Sequence, residues 1–276
     1  MSGLGWLDVS DLDFNVLLLL EPLHAVYIAQ RQPDAAMGTA IGAHPAVRWY
    51  LCHIHPPIQA YLEYCLKLGN PNPMPEELRQ AELSVLDTMQ DWLIYVLDPA
   101  GYDQLKFLNW DDNSLLSMAD FCGKVVLDIG AGTGRLAFLV APYAHVVYAV
   151  EPIANLRRYI IKKRARLGLE NVFPVNGLIT QIPFVDNFAD ILMAGHVFGD
   201  DFDAELSEMQ RVVRPGGLIL LHPGTNFTSE SNAHRFLVHK GFEFSLFEEP
   251  GDGLKRKYWL KVQKPSQSKE KPHDRK

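Results

Sequence analysis

Val125-Val126-Leu127-Asp128-Ile129-Gly130-Ala131-Gly132-Thr133-Gly134-Arg135 is the stretch from which the rest of this chain is read. A short apolar run ends near a carboxylate, and three glycines follow at alternate positions. An apolar stretch with helical spacing begins at Leu136, so the segment reads as strand, tight turn and helix. Glycines suit such a turn because, without a Cβ, the backbone adopts otherwise strained dihedrals and lies directly against a ligand. The first expectation is a nucleoside-type ligand resting on the turn.

The spacing narrows the choice of nucleoside. A dinucleotide fingerprint, G-x-G-x-x-G, puts its third small residue where this chain has Arg135. Here the third glycine is Gly134. Asp128, two residues ahead of the first glycine, repels a pyrophosphate but attracts an ammonium or sulfonium group. Nicotinamide-dependent oxidoreduction is therefore disfavoured.

Three further segments follow in order. The apolar run His145 to Val150 ends on Glu151, at about the ~20-residue separation from the turn expected of a carboxylate that accepts ribose hydroxyls. Pro183 to Leu192 leads into another apolar run. Glu208 to Leu221 carries a helix end, an Arg214-Pro215-Gly216-Gly217 turn and a strand.

With these four segments in view, the chain resembles the class I S-adenosylmethionine (SAM)-dependent methyltransferases, with a core like the type 11/25 domains. The resemblance implies an α/β, Rossmann-like sheet of seven strands, the last antiparallel, with SAM as the cofactor. It also implies that Gly130, Ala131, Gly132 and Gly134 back the methionine and ribose portion, that Glu151 takes the ribose hydroxyls, and that Asp128 sits near the methionine amine. Many relatives have an acid for the adenine amino group after the third strand. This chain has Leu178 there, so Leu178 and Ile179 are expected to hold the adenine by apolar and backbone contact.

The acceptor side offers one candidate. His196 follows the fourth strand, at the sheet edge where ligands bind in such folds, and a neutral imidazole can take a proton from a hydroxyl or amine. His222, after the fifth strand, is a weaker candidate. The chain lacks an Asn-Pro-Pro or Asp-Pro-Pro tetrad and paired glutamates after the fourth strand, and it has no cysteine after Cys122. Methylation of DNA bases or glutamine at nitrogen, of protein arginine, and of base C5 through a thiolate are disfavoured accordingly. The expected reaction is methyl transfer to an O or N atom of a small or medium-sized molecule. A binding or scaffold protein that has lost turnover is the alternative that Leu178 leaves open.

Composition fits this reading. With 276 residues, 47% of them hydrophobic, the chain can bury a sizeable core. A net charge of -7 argues against nucleic acid as main partner. Cys52, Cys65 and Cys122 have no metal or disulfide spacing, and the apolar stretch from Phe14 to Ala29 is interrupted by Glu21 and Pro22. A cytoplasmic location without a membrane segment is expected, and oligomeric state is not legible.

Three domains are expected: a helical N-terminal cap or substrate domain over 1–118, a methyltransferase domain over 119–262, and a disordered tail over 263–276. Helical blocks run Phe14 to Gln30, Pro45 to Leu68 and Pro75 to Leu97, with loops around Gln32 to Thr39 and Gly69 to Pro73. Cys52, His53, His55 and His44 are metal-ligand types, but His53 and His55 point to different sides of a helix, so no metal site is assigned. Tyr102, Phe107 and Trp110 are expected to pack between domains or close over a ligand. The basic helix from Leu156 to Leu167 is read as a solvated outer face, with Ile160, Ile161, Ala165 and Leu167 on its buried side.

Overall fold

The computed structural model describes residues 5–31, 33–222, 230–251 and 253–263. In chain order the helices are α1 (Pro22–Arg31), α2 (Asp34–Ala43), α3 (Pro45–Ile54), α4 (Gln59–Leu68), α5 (Pro75–Leu97), α6 (Pro99–Tyr102), α7 (Asn113–Leu116), α8 (Arg135–Val140), α9 (Ala154–Arg166), α10 (Phe202–Val212) and α11 (Asn232–His239). The strands are β1 (Val125–Ile129), β2 (Val146–Val150), β3 (Val172–Val175), β4 (Ala189–Gly195), β5 (Val213–His222), β6 (Glu243–Glu249) and β7 (Gly253–Lys261). They group into two compact units. Described residues up to Asn109, with Glu151–Leu167, form one; Trp110–Val150, with described residues from Gly168 on, form the other. The expectation of a tail lies outside the described residues from Lys264 onward.

The second unit is a seven-stranded sheet in the order β3-β2-β1-β4-β5-β7-β6. Strands β1 to β5 run parallel, and β7 is antiparallel to both β5 and β6. This is the Rossmann-like α/β architecture of class I methyltransferases. The inner strands read as continuous apolar runs because sheets of this kind are covered on both faces. Val126, Leu127 and Ile129 of β1 are fully buried, as are Leu192 and Met193 of β4. Chain order reverses between β1 and β4, which makes the carboxyl end of that pair the place where such sheets bind ligands.

The first unit is helical. Its core joins Phe14, Leu17, Ile28, Met37, Ile41, Leu51, Leu86, Met89 and Leu93 with Ile153 and Leu156 from the far side of β2 in the chain. α5 starts with Pro75, and Glu77 accepts a hydrogen bond from the Met74 N–H at 3.0 Å. It stops at Asp98, ahead of Pro99.

Three expectations are corrected here. Gln32 to Thr39 is not a loop, because α2 begins at Asp34. Gly38 is in that helix for close packing: a Cβ there would lie 1.8 Å from the Cys65 carbonyl oxygen of α4. The block from Pro45 to Leu68 is not one helix, since His55 ahead of Pro56 ends α3 and a 3-10 turn over Pro56–Ile58 precedes α4. On α9, Leu156 and Ile160 are buried while Ile161, Ala165 and Leu167 are exposed. The buried stripe is the i, i+4 pair, and Ile161 falls about 100° away from it.

Among the described residues no helix is long and apolar enough to cross a membrane. His44 Nε2 lies 2.7 Å from Glu82 Oε1, and the His53 ring stacks on Trp49 at 4.9 Å. Among the described residues no group of three or more His, Cys, Asp or Glu side chains is arranged to hold a metal ion.

Candidate cofactor and acceptor site

Strand register gathers the predicted residues. Ile129, the last residue of β1, pairs with Val150 at the end of β2 and with Ala194 near the end of β4. Val150 pairs in turn with Val175, the last residue of β3, and Gly195 pairs with His222 of β5. The residues that follow these ends are Gly130, Glu151, Asn176 and His196. Four separated motifs thus leave the sheet at its carboxyl edge.

The turn after β1 has the geometry its glycines predict. Gly130, Gly132 and Gly134 take φ of 65°, 57° and 82°, a region that side chains with a Cβ enter at a cost. The N–H groups of Gly130 and Ala131 donate to the Val150 carbonyl at 2.8 and 3.1 Å, which ties the turn to β2. Asp128 is buried, and its Oδ2 accepts from the Ala137 N–H at 2.9 Å, so this carboxylate caps the first turn of α8. Thr133 Oγ1 is buried in the same turn with no hydrogen-bond partner among the described residues. An orphaned hydroxyl beside a backbone free of side chains fits a polar ligand.

Glu151 is almost fully buried, and its Oε1 accepts from the Ile153 N–H at 2.9 Å. Within the helical unit it neighbours two tyrosines. Burial and then the charge of Glu151 push the Tyr102 phenol up, and Tyr95 is pushed up by burial, Tyr102, Asp91 and Glu151. Both therefore remain protonated hydrogen-bond donors across the physiological range. Tyr102 meets Tyr95 edge-on at 4.8 Å, and Trp6 stacks on Phe107 at 5.3 Å.

After β3, Gly177 is held tightly: a Cβ would come within 2.6 Å of Pro183 Cδ and 2.9 Å of Val150 Cγ1. Leu178 is exposed and Ile179 packs on the edge of the sheet's core, so an apolar side chain is on offer beside the end of β2.

His196 follows β4 with φ of 58°, and its N–H donates to the His222 carbonyl at 2.8 Å. The next residue, Val197, packs against the glycine turn, where a Cβ on Gly130 would lie 2.7 Å from Val197 Cγ2. The loop is pinned from below by Glu205 of α10, a buried carboxylate that accepts from the N–H groups of Gly199, Asp200 and Asp201 at 2.8 to 3.0 Å. His196 Nε2 lies 3.2 Å from Oε2 of Glu249 at the end of β6.

His222 is fully enclosed, stacked on Trp110 at 5.0 Å and edge-on to Phe247 at 5.1 Å. Burial first, then the charges of Lys257 and His196, push it down to about 3, so it stays neutral and walled in. Sequence reasoning missed Thr133, Glu205 and Glu249. A glutamate four to six residues beyond a loop was a signal for Glu205, but nothing in the chain near Glu249 announces its partner.

Three comparisons show what this chain is similar to. A family model described as a methyltransferase domain matches residues 127–221. An uncharacterized methyltransferase of Geobacillus kaustophilus is 28% identical over 182 residues, which cover 63% of this chain and 81% of that protein. A ubiquinone/menaquinone biosynthesis C-methyltransferase of Shewanella frigidimarina is 34% identical over 150 residues, covering 51% of this chain and 58% of that protein. A solved SAM-dependent methyltransferase from Aquifex aeolicus is 22% identical, covers 60% of this chain and 99% of its own, and superposes with a TM-score of 0.48. Residues 127–221 thus match the methyltransferase domain family, on a sheet with the strand order of the class I SAM-dependent methyltransferases.

Proposed function

We propose that this protein binds SAM at the carboxyl edge of its sheet and transfers the methyl group to an O or N atom of a small or medium-sized molecule. The observation that carries the reading is the strand register, which puts the glycine turn, Glu151, the Asn176-to-Ile179 segment and His196 at successive ends of β1, β2, β3 and β4. Bound SAM supplies a methyl group on a cationic sulfur. Gly130, Ala131, Gly132 and Gly134 leave room for the ligand, and Glu151 accepts its ribose hydroxyls. Asp128 shapes the turn through α8 and contributes negative charge near the methionine end. Leu178 and Ile179 cover the adenine. Holding donor and acceptor in line supplies a large share of the rate in such a displacement.

A second reading, transfer to carbon, is favoured by two relatives. One is the Shewanella C-methyltransferase; the other is a demethylmenaquinone methyltransferase of Geobacillus kaustophilus, 33% identical over 134 residues. This chain spans 56% and 58% of those two proteins. Unpaired Cys52, Cys65 and Cys122 support a reducing, cytoplasmic setting. The acidic balance supports a small-molecule acceptor over nucleic acid.

Calorimetric titration with SAM, S-adenosylhomocysteine and NAD tests the reading. Micromolar binding of the two sulfur nucleosides and none of NAD is expected. Binding of neither sulfur nucleoside would transfer the case to a scaffold without turnover.

A further inference from the structure

The outer face of α9 carries charge that the packing of the helix does not require. Six basic side chains and no acidic one fall within Ala154–Arg166, in a chain whose net charge is -7. Lys163 pairs with Asp103 at 2.7 Å, and Arg157 donates to the Glu151 carbonyl at 2.7 Å. Arg158, Lys162 and Arg166 are exposed and stand four residues apart, so they form one row of about 12 Å along the helix. Arg158 donates to Asn155 Oδ1 at 3.1 Å, and Arg166 lies over the Tyr159 ring at 5.7 Å. Among the described residues none of the three meets a carboxylate. Like charges four residues apart destabilise a helix. The helix dipole favours cations in the last turn, which accounts for Lys163, Arg164 and Arg166 but not for Arg158 or Lys162. Beside the row lie Ile161, 47% exposed, and Ala165, also exposed, on the side of the helix away from buried Leu156 and Ile160.

We propose that the outer face of α9 docks this protein on an anionic lipid surface, with Arg158, Lys162 and Arg166 on headgroup phosphates and Ile161 at the acyl boundary. A row of cations flanked by a branched aliphatic side chain makes two demands, phosphate oxygens for the one and an apolar layer for the other. An anionic bilayer surface meets both: long basic side chains keep their heads among the phosphates while their stems and an aliphatic neighbour settle below. A nucleic-acid backbone answers the charge but leaves Ile161 in water. The contact is peripheral, since among the described residues no helix is long and apolar enough to cross a membrane. Each cation near such a surface is worth about fivefold in affinity, so the three give on the order of a hundredfold preference for anionic over neutral lipid. Attachment of that strength is reversible and weakens with salt.

The full-length protein is sedimented with sucrose-loaded vesicles of phosphatidylcholine, alone or with about one third phosphatidylglycerol. Wild type should bind the anionic vesicles and leave the neutral ones, and the bound fraction should fall as salt rises. Lys162→Glu changes the row by two charge units and should lower the partition coefficient about 25-fold. The same change at Lys67, an exposed lysine of α4 in the same helical unit, should lower it by less than about threefold. Ile161→Ser, which alters no charge, should cost roughly five- to tenfold. Lys162→Glu puts a carboxylate four residues from both Arg158 and Arg166, so it should melt no lower than wild type, and its lost binding then reads the surface rather than the fold. No preference of wild type for anionic vesicles, or equal losses at Lys162 and Lys67, would overturn the proposal. Vesicle binding unaffected by Ile161→Ser would overturn it too, and displacement of the vesicles by a DNA duplex in that case would make the face one for nucleic acid.

Discussion

Gly132 is a residue whose type is dictated by its backbone. At φ 57° any side chain there is strained, and under the proposed reading it would also stand where the ligand rests. Gly132→Val should abolish SAM binding by calorimetry while the sheet still forms by circular dichroism. Glu151→Ala should weaken SAM binding by ~1–3 kcal/mol, the range for lost charge-assisted hydrogen bonds; unchanged affinity in both variants would remove the site from this turn. Such residues are legible in sequence because chemistry and spacing coincide within one short segment. Glu249 was not, since its meeting with His196 depends on β6 lying at the end of the sheet, a fact no local pattern holds. His222 shows a third case, a polar residue whose environment cancels its chemistry. Its folded value of about 3 lies below the ordinary 6.5, so the unfolded chain binds the extra proton. The stability of the neutral ring is complete above about pH 6.5 and is lost as pH falls toward about 3, on the order of 5 kcal/mol in total. His24, pushed down to about 4 by burial, adds in the same direction. Denaturant midpoints at about pH 7 and about pH 4.5 should diverge in wild type, and His222→Phe, which keeps a ring against Trp110, should narrow the difference.

At the scale of elements, patterning located β1, β2, α5 and α9, because apolar runs and their breakers are local signals. It failed at α2, where a loop was expected around Gln32 to Thr39. Gly38 is small because α4 passes too close for a Cβ. Gly38→Ala should therefore lower the melting temperature, with an overpacking cost of ~1–3 kcal/mol or more, although alanine is the better helix former. A rise in stability would mean that α2 and α4 separate freely. The loop after β4 makes the converse case, a connection more rigid than its sequence advertises. Glu205 satisfies three of its backbone N–H groups at once, and Glu205→Ala would leave them without an acceptor at a cost of roughly 1–3 kcal/mol each before relaxation. The variant should unfold at lower denaturant and show faster hydrogen exchange at Gly199, Asp200 and Asp201 than elsewhere in the sheet unit. Protection unchanged at those three amides would show that the loop is held by other means.

For the whole molecule, the sequence motifs and the packing divide the chain differently. By motif order α9 is the crossover between β2 and β3, a part of the methyltransferase domain. By contacts it belongs to the helical unit. Ile153 and Leu156 complete that unit's core, the Ala154 N–H donates to Glu21 at 2.7 Å, Asn155 Nδ2 donates to the Val96 carbonyl at 2.6 Å, and Lys163 pairs with Asp103 at 2.7 Å. No sequence pattern could announce this, because an amphipathic stripe states that a helix is covered without naming the cover. The consequence is that the helical unit is built from two separated pieces of chain, and Ile153 and Leu156 of the second are covered by the core of the first. A fragment of residues 110–276 keeps every methyltransferase motif, yet it presents Ile153 and Leu156 of α9 to water, together a loss of roughly 3–6 kcal/mol by the usual value for burying two such side chains. It should express as an aggregating protein that binds a hydrophobic dye, and Leu156→Glu in the full chain should lower the denaturant midpoint by destabilising the helical unit first, read as early loss of hydrogen-exchange protection in α5. A fragment of 110–276 that is monomeric, folded and able to bind SAM would show instead that α9 finds sufficient cover without residues 1–109, and that the methyltransferase motifs mark an independent folding unit after all.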